Sequence, residues 1–180
     1  MKEYLVLSMI GSDRTGLVDR VSQAIKTHRG NLEDSRMAVL GGEFAMVMLV
    51  SVPAEHRQNL LAQVGEVAQE LNMVLSTKLT TPRRTSNDLV PLTVHVKGMD
   101  HEGIVHDVVH ALVEQGVSVD ALDSSVTHAA HTGTPMFSMT LRLSAPASIS
   151  IMTLQSKLAQ VADQLALDID VEIRAGAGAR

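Results

Sequence analysis

The segment Gly11-Ser12-Asp13-Arg14-Thr15-Gly16-Leu17-Val18 returns as Gly98-Met99-Asp100-His101-Glu102-Gly103-Ile104-Val105, a glycine-bracketed turn repeated 87 residues along the chain. The residues after each turn repeat too. Leu17, Val18, Val21, Ala24 and Ile25 stand opposite Ile104, Val105, Val108, Ala111 and Leu112 at the same offset, and the spacing i, i+1, i+4, i+7, i+8 is one face of an α-helix. A turn that recurs together with its helix stripe predicts two copies of one module. With 180 residues and 45% hydrophobic content, each copy can bury a core of its own.

Within the first copy, Tyr4–Ile10 reads as a strand and Thr15–Arg29 as an amphipathic helix, with Asp13 as its N-cap and Gly30 as its stop. Gly41-Gly42 suits the positive φ angles of a tight hairpin between strands 31–40 and 43–52. In the second arm Phe44, Met46, Met48 and Val50 alternate with Ala45, Val47 and Leu49; both faces are apolar, which predicts an interior strand. Leu60, Leu61, Val64, Val67, Ala68 and Leu71 mark a second helix, and a strand over about 73–79 closes the copy.

The order then repeats, with strands at 92–97, 117–127, 136–144 and 168–174 and helices at 102–115 and 150–166. Phe137, Met139, Leu141 and Leu143 match Phe44, Met46, Met48 and Val50 at offset 93, so the second hairpin has gained about six residues around His128–Pro135. The expected domains are 1–80 and 92–175, with a proline-bearing linker at 81–91 and a disordered Gly/Ala-rich tail at 176–180. Strand, helix, strand, strand, helix, strand is the ferredoxin-like α+β arrangement, two helices over one face of a four-stranded antiparallel sheet. The other face and the sheet edges are left to be covered, which allows a homo-oligomer.

Bulk properties exclude several classes. There is no cysteine, which removes disulfide scaffolds and thiolate chemistry together. The apolar run after Met1-Lys2-Glu3 ends at Gly11, so neither a signal peptide nor a membrane span is expected, and a cytoplasmic location is. Net charge is −5; residues 91–180 hold ten of the twenty acids, and Lys78, Arg83 and Arg84 near the linker are the one cationic cluster. Direct nucleic-acid binding is therefore not expected, the more so because every predicted element is used in building the modules and no helix-turn-helix is left over.

A module of this order, with Gly-x-Asp-x-x-Gly-[Leu/Ile]-Val between its first strand and helix, resembles the ACT domain, a small-molecule-binding regulatory module. The run from Gly30 to Phe44, with Asn31-Leu32-Glu33-Asp34-Ser35-Arg36, resembles the glycine cleavage system transcriptional repressor family. The resemblance implies a non-enzymatic regulator without a cofactor. Such a regulator would sense an amino acid, glycine among the candidates, and act as a (co)repressor of glycine cleavage genes through a DNA-binding regulator protein. A second reading is an accessory regulatory subunit of an amino-acid or one-carbon enzyme.

The turn supports the family independently. A glycine-flanked loop entering a helix leaves backbone N–H groups at the positive end of the helix dipole, a natural seat for a carboxylate. The candidate ligand-binding residues are Gly11, Asp13, Arg14, Gly16 and Leu17 in the first turn, Asn31, Leu32, Asp34 and Ser35 on the second strand, and Gly98, Asp100, Gly103 and Ile104 in the second turn. Asn31, Asp13 or strand carbonyls near Asn31 would accept from an ammonium group, and the resemblance implies that the effector lies between the turn and the second strand of a neighbouring copy. Two departures from the family pattern stand out. Thr15 and Glu102 sit where many members have proline, and the second copy offers Ser118-Val119-Asp120-Ala121-Leu122 against Asn31–Ser35.

Other chemistry finds little support. Six of the eight histidines fall between His95 and His131, and His106 and His110 have the i, i+4 spacing that can chelate a metal. They occupy the positions of Asp19 and Gln23, a solvated face in the first copy, and the pattern fixes no third ligand, so no metal site is expected. Gly41-Gly42-Glu43-Phe44 reads as a hairpin turn and not as a cyclase signature. Neither a nucleophile elbow, a P-loop nor a dinucleotide-binding glycine motif occurs.

Overall fold

The computed structural model describes residues 1–82 and 88–174. Two compact units result, Met1–Arg84 and Thr85–Arg180. The expected tail at 176–180 and part of the expected linker, with Arg83 and Arg84, lie outside the described residues.

The first unit runs β1 (Lys2–Ser12), α1 (Leu17–Thr27), β2 (Asn31–Leu40), β3 (Glu43–Pro53), one turn of 3-10 helix (Ala54–His56), α2 (Arg57–Glu70) and β4 (Val74–Thr80). The second runs β5 (Leu89–Met99), α3 (Ile104–Glu114), β6 (Ser118–His128), β7 (Pro135–Pro146), α4 (Ile151–Leu165) and β8 (Leu167–Ile173). Each forms a four-stranded antiparallel sheet, in the orders β2-β3-β1-β4 and β6-β7-β5-β8. The fold is the α+β, ferredoxin-like tandem that the repeat predicts.

Alternation along the strands builds each core. Leu5, Leu7 and Met9 of β1 and Met46, Met48, Val50 and Val52 of β3 point one way, where Leu17, Val21, Ala24 and Ile25 of α1 and Leu60, Val64, Val67 and Ala68 of α2 close over them. Leu92, Val94 and Val96 with Met139, Leu141 and Leu143 do the same under α3 and α4. β3 is an interior strand, as its two apolar faces predict, but its second face is uncovered by helices: Val47 is 48% exposed while Ala45 and Leu49 are half-buried.

Several boundaries differ from the sequence expectation, each for a local reason. α1 starts at Leu17, two residues late, because Gly16 at φ +94° is the cap. Asp13 does not cap it; its N–H donates across the turn to the Gly42 carbonyl at 3.0 Å. α1 ends when Arg29, not Gly30, takes a left-handed conformation at φ +57°. Gly30 is needed for room, since a Cβ there would meet the Ile25 side chain at 2.8 Å. β5 begins at Leu89, inside the stretch read as linker, since Val90 and Pro91 pair with Ala145 and Ser144 of β7. The enlarged hairpin is one added strand pair, His128 with Pro135, plus a six-residue loop in place of Gly41-Gly42.

Candidate ligand site at the duplicated turn

The two glycines of the first turn do different work. Gly11, next to last in β1, lies against the residues that lead into β4: a Cβ there would lie 2.9 Å from Met73 Cγ and 3.1 Å from the Asn72 carbonyl oxygen, so only glycine fits without a shift. Gly16 has nothing within 4 Å of a built Cβ, and its demand is conformational, a φ of +94° that L side chains rarely adopt. From there Leu17 enters α1 with no side chain capping the first turn, so its leading N–H groups stay open to an acceptor at the positive end of the dipole. Ser12 Oγ donates to Glu43 Oε1 at 3.3 Å, joining the turn to the hairpin. Arg14 Nη2 donates to the Glu70 carbonyl oxygen at 3.3 Å, the last residue of α2, and Arg20 pairs with the Glu70 carboxylate. Arg14 is thus a cation at a helix C-terminus, the favourable pole for it.

The second segment is built on a β-bulge. β2 and β3 shift register between Leu32 and Asp34, leaving Glu33 as the extra residue. Its carboxylate accepts from Ser51 Oγ at 2.6 Å, and Ser51 is the single fully buried polar residue of the described chain. That hydrogen bond, followed by one from Asn31, holds the Glu33 carboxyl below the usual glutamate range. Asp34 is held below its ordinary value mainly by Arg36, whose Nη1 lies 2.5 Å from Oδ1, and Ser35 N–H donates to the same oxygen at 2.8 Å. Asp34, Ser35 and Arg36 line one side of a cavity of about 130 Å³, with Val6, Val47 and Leu49 on the other.

The structure does not bring the two segments together within one unit. Gly11 pairs with Phe44, whereas Asn31 pairs with Ser51 at the far end of the same strand. Seven residues of strand separate those partners, roughly 23 Å at about 3.3 Å per residue. A ligand touching both would need the turn of one copy and the second strand of another.

The second unit repeats both devices. Gly103 sits at φ +91° before α3, and the Asp100 N–H donates to the Pro135 carbonyl oxygen at 3.0 Å as Asp13 does to Gly42. Gly98 is crowded by Leu167 Cδ2 at 2.5 Å from a built Cβ. His101, opposite Arg14, places Nε2 3.3 Å from the carbonyl oxygen of Leu165, the last residue of α4. The bulge recurs as well: β6 and β7 shift register between Val119 and Ala121, and Ser144 Oγ donates to the Asp120 carboxylate. Ile104 is buried beneath the turn like Leu17, so both serve the core.

The ACT domain family matches residues 3–78, nearly the whole first unit. A solved structure of an unknown protein from Galdieria sulphuraria is 31% identical, with a TM-score of 0.87, and covers 97% of this chain and 100% of that one. The family match places the first unit, residues 3–78, in the ACT-domain family. The glycine cleavage system transcriptional repressor of Escherichia coli (strain K12) is 33% identical over 82 residues, 46% of this chain and 43% of that protein. The match thus spans less than half the length of that curated relative. The crystal structure of a candidate glycine cleavage system transcriptional repressor, 19% identical with a TM-score of 0.71 over 98% of this chain and 99% of that one, shares the tandem fold.

Two residues of these paired devices are not singled out by the sequence. Glu33 lies between Asn31 and Asp34, which carry more obvious ligand chemistry, and Ser51 looks like an isolated polar residue in an apolar strand. The usable signal is the second copy: Glu33 and Asp120 keep the turn's offset of 87, and Ser51 and Ser144 keep the hairpin's offset of 93. An acid on a bulge facing a serine is common to both units, whereas Asn31, Leu32, Asp34 and Ser35 are replaced by Ser118, Val119, Ala121 and Leu122.

Proposed function

We propose that this chain is a non-enzymatic regulatory protein that responds to an amino acid and acts as a (co)repressor of glycine cleavage genes through a separate DNA-binding protein. The observation that carries this reading is the uncapped first turn of α1 behind the left-handed Gly16, in a chain that is 33% identical to the E. coli repressor over 82 residues. The open N–H groups suit an amino acid's carboxylate. Asn31 suits its ammonium group, contributed by another copy because the two segments are far apart within one unit. Gly98, Asp100, Gly103 and Ile104 offer the same backbone in the second unit.

Indirect action is supported by the inventory of elements and charge. Among the described residues all four α-helices and eight strands are consumed by the two units, and a net charge of −5 opposes approach to a polyanion. No helix is long and apolar enough to cross a membrane among the described residues.

A thermal-shift panel of the proteinogenic amino acids on the full chain tests the sensing half. Glycine or a close relative should raise the melting temperature, and Asn31→Ala should abolish the shift while lowering the unliganded melting temperature only slightly, by loss of its hydrogen bond to the exposed Glu33 carboxylate. Pulldown from native extract with and without that amino acid should then retain a DNA-binding protein. Sequence-specific, salt-resistant operator binding by the chain alone would overturn the indirect mechanism.

A further inference from the structure

The regulatory reading gives the His106 and His110 pair no use, and the structure places more around it than their spacing alone. On α3 the two imidazoles are exposed and stacked, with ring centroids 5.7 Å apart and planes 11° from parallel. Residues four apart lie one above the other on a helix, and because both rings are exposed, rotation about χ2 out of the stacked arrangement turns a nitrogen of each toward one ion at the zinc–imidazole distance of about 2.0–2.1 Å. One turn further on, Glu114 Oε1 is 3.5 Å from His110 Nε2. Asp107, His110 and Glu114 also line one wall of a groove of about 250 Å³ between α3 and α4. The first unit offers Asp19, Gln23 and Thr27 at the positions of His106, His110 and Glu114, so only the second copy has acquired imidazoles.

We infer that His106 and His110 are the two protein ligands of a surface site for a divalent transition-metal ion of the Zn²⁺ class. Imidazole is a borderline donor that suits Zn²⁺, Ni²⁺ and Cu²⁺ over Mg²⁺ or Ca²⁺. Among the described residues no group of three His, Cys, Asp or Glu side chains stands ready to hold a metal, so the remaining positions fall to water. Glu114 becomes a third ligand only if it is released by Lys157, whose Nζ lies 3.1 Å from Oε2. Lys157 therefore opposes the site twice, by engaging that carboxylate and by adding a like charge.

The test is calorimetric titration of the full chain with Zn²⁺ in metal-free buffer near neutral pH, with histidine ring resonances followed by NMR. Wild type should bind one Zn²⁺ with shifts confined to the rings of His106 and His110, and Mg²⁺ should give neither. His106→Gln and His110→Gln should each weaken binding by an order of magnitude or more while the far-UV circular dichroism is unchanged, because both rings are exposed. Lys157→Met should tighten it several-fold. Absence of Zn²⁺ binding by wild type, or wild-type affinity in both glutamine variants, overturns the site; unchanged affinity in Lys157→Met removes Glu114 from it.

Discussion

The two units have equivalent but separate cores and differ on the sheet face that their helices leave bare. In the first, Val6, Ile10, Ala45, Val47, Leu49 and Val74 share that face, and Ile10, Val47 and Val74 are 49%, 48% and 70% exposed. In the second, the corresponding strands present Thr93, His95, Lys97, Ser138, Thr140 and Arg142, with Asp168 and Asp170 from β8. His95 Nδ1 and Thr140 Oγ1 are 3.1 Å apart there, and Arg142 pairs with Asp123 at 3.8 Å. Strand parity explains why one scaffold tolerates both. Inward positions are bound by packing, whereas outward ones are free to drift apart after duplication. The left-handed glycine, the crowded glycine and the acid-to-serine bulge stay common to both units despite that drift, and these are properties of backbone shape.

The largest effects are expected where that shared backbone is tightest. Gly11→Ala should cost about 1–3 kcal/mol, the range for overpacking, because the added Cβ meets the Asn72 carbonyl and Met73 Cα, which belong to the main chain. Gly98→Ala should cost less, since the atom it meets first is the far end of the Leu167 side chain. Chemical denaturation of the two variants checks the order, and equal losses would mean that the β4 and β8 approaches are equally rigid. Next come Gly16→Ala and Gly103→Ala, each about 1–2 kcal/mol from a left-handed φ alone. Valine at Gly16 would suffer from the same dihedral and not from crowding, because the space around it is open.

Smaller again is the contribution of the bulge. Ser51→Ala removes the main donor that keeps the Glu33 carboxyl below its usual range. A carboxylate whose folded value is depressed stabilises the fold above its unfolded value, about 4.3, and loses that contribution as pH falls through the folded value. The gap in melting temperature between wild type and Ser51→Ala should thus be full at neutral pH and close as the solution is taken below pH of about 4. A gap that persists in strong acid would mean that the serine hydroxyl acts through packing alone. In the second unit Ser144→Ala is the matched control, and a smaller loss at neutral pH is expected because Ser144 is less buried than Ser51.

Most of this architecture is legible in the sequence because duplication supplies an internal comparison. The twelve regular elements, the interior position of β3 and the hairpin at Gly41-Gly42 all follow from periodicity and turn chemistry read twice. The misses have a common cause. Asp13 as a cap, Gly30 as a stop and Leu92 as a strand start are inferences from residue type, but a left-handed Gly16, a left-handed Arg29 and pairing of Pro91 with Ser144 are tertiary outcomes. The candidate site is legible as two segments but not as two separated ends of one sheet, since pairing register fixes that distance. Glu33 escapes because a bulge is invisible until the partner strand is known.

The smallest expected effect isolates the turn position where one copy has a guanidinium and the other an imidazole. Arg14 donates to the last carbonyl of α2, and His101 approaches the last carbonyl of α4 with Nε2 while its Nδ1 lies 2.9 Å from the Glu102 carbonyl oxygen. Two carbonyl oxygens accept and never donate, so a neutral imidazole with its one N–H can serve only one of them, whereas a guanidinium has donors to spare and a permanent charge. A cation at a helix C-terminus is worth about 0.3–1 kcal/mol at low salt and less when screened. His101→Arg should therefore raise the melting temperature slightly and Arg14→His lower it slightly. Both differences should shrink as salt is added, which differential scanning calorimetry at two ionic strengths would resolve. If instead His101→Arg destabilises the chain at both salt concentrations, the second turn depends on the shape of the imidazole rather than on charge, and the two copies would differ there in mechanism as well as in residue.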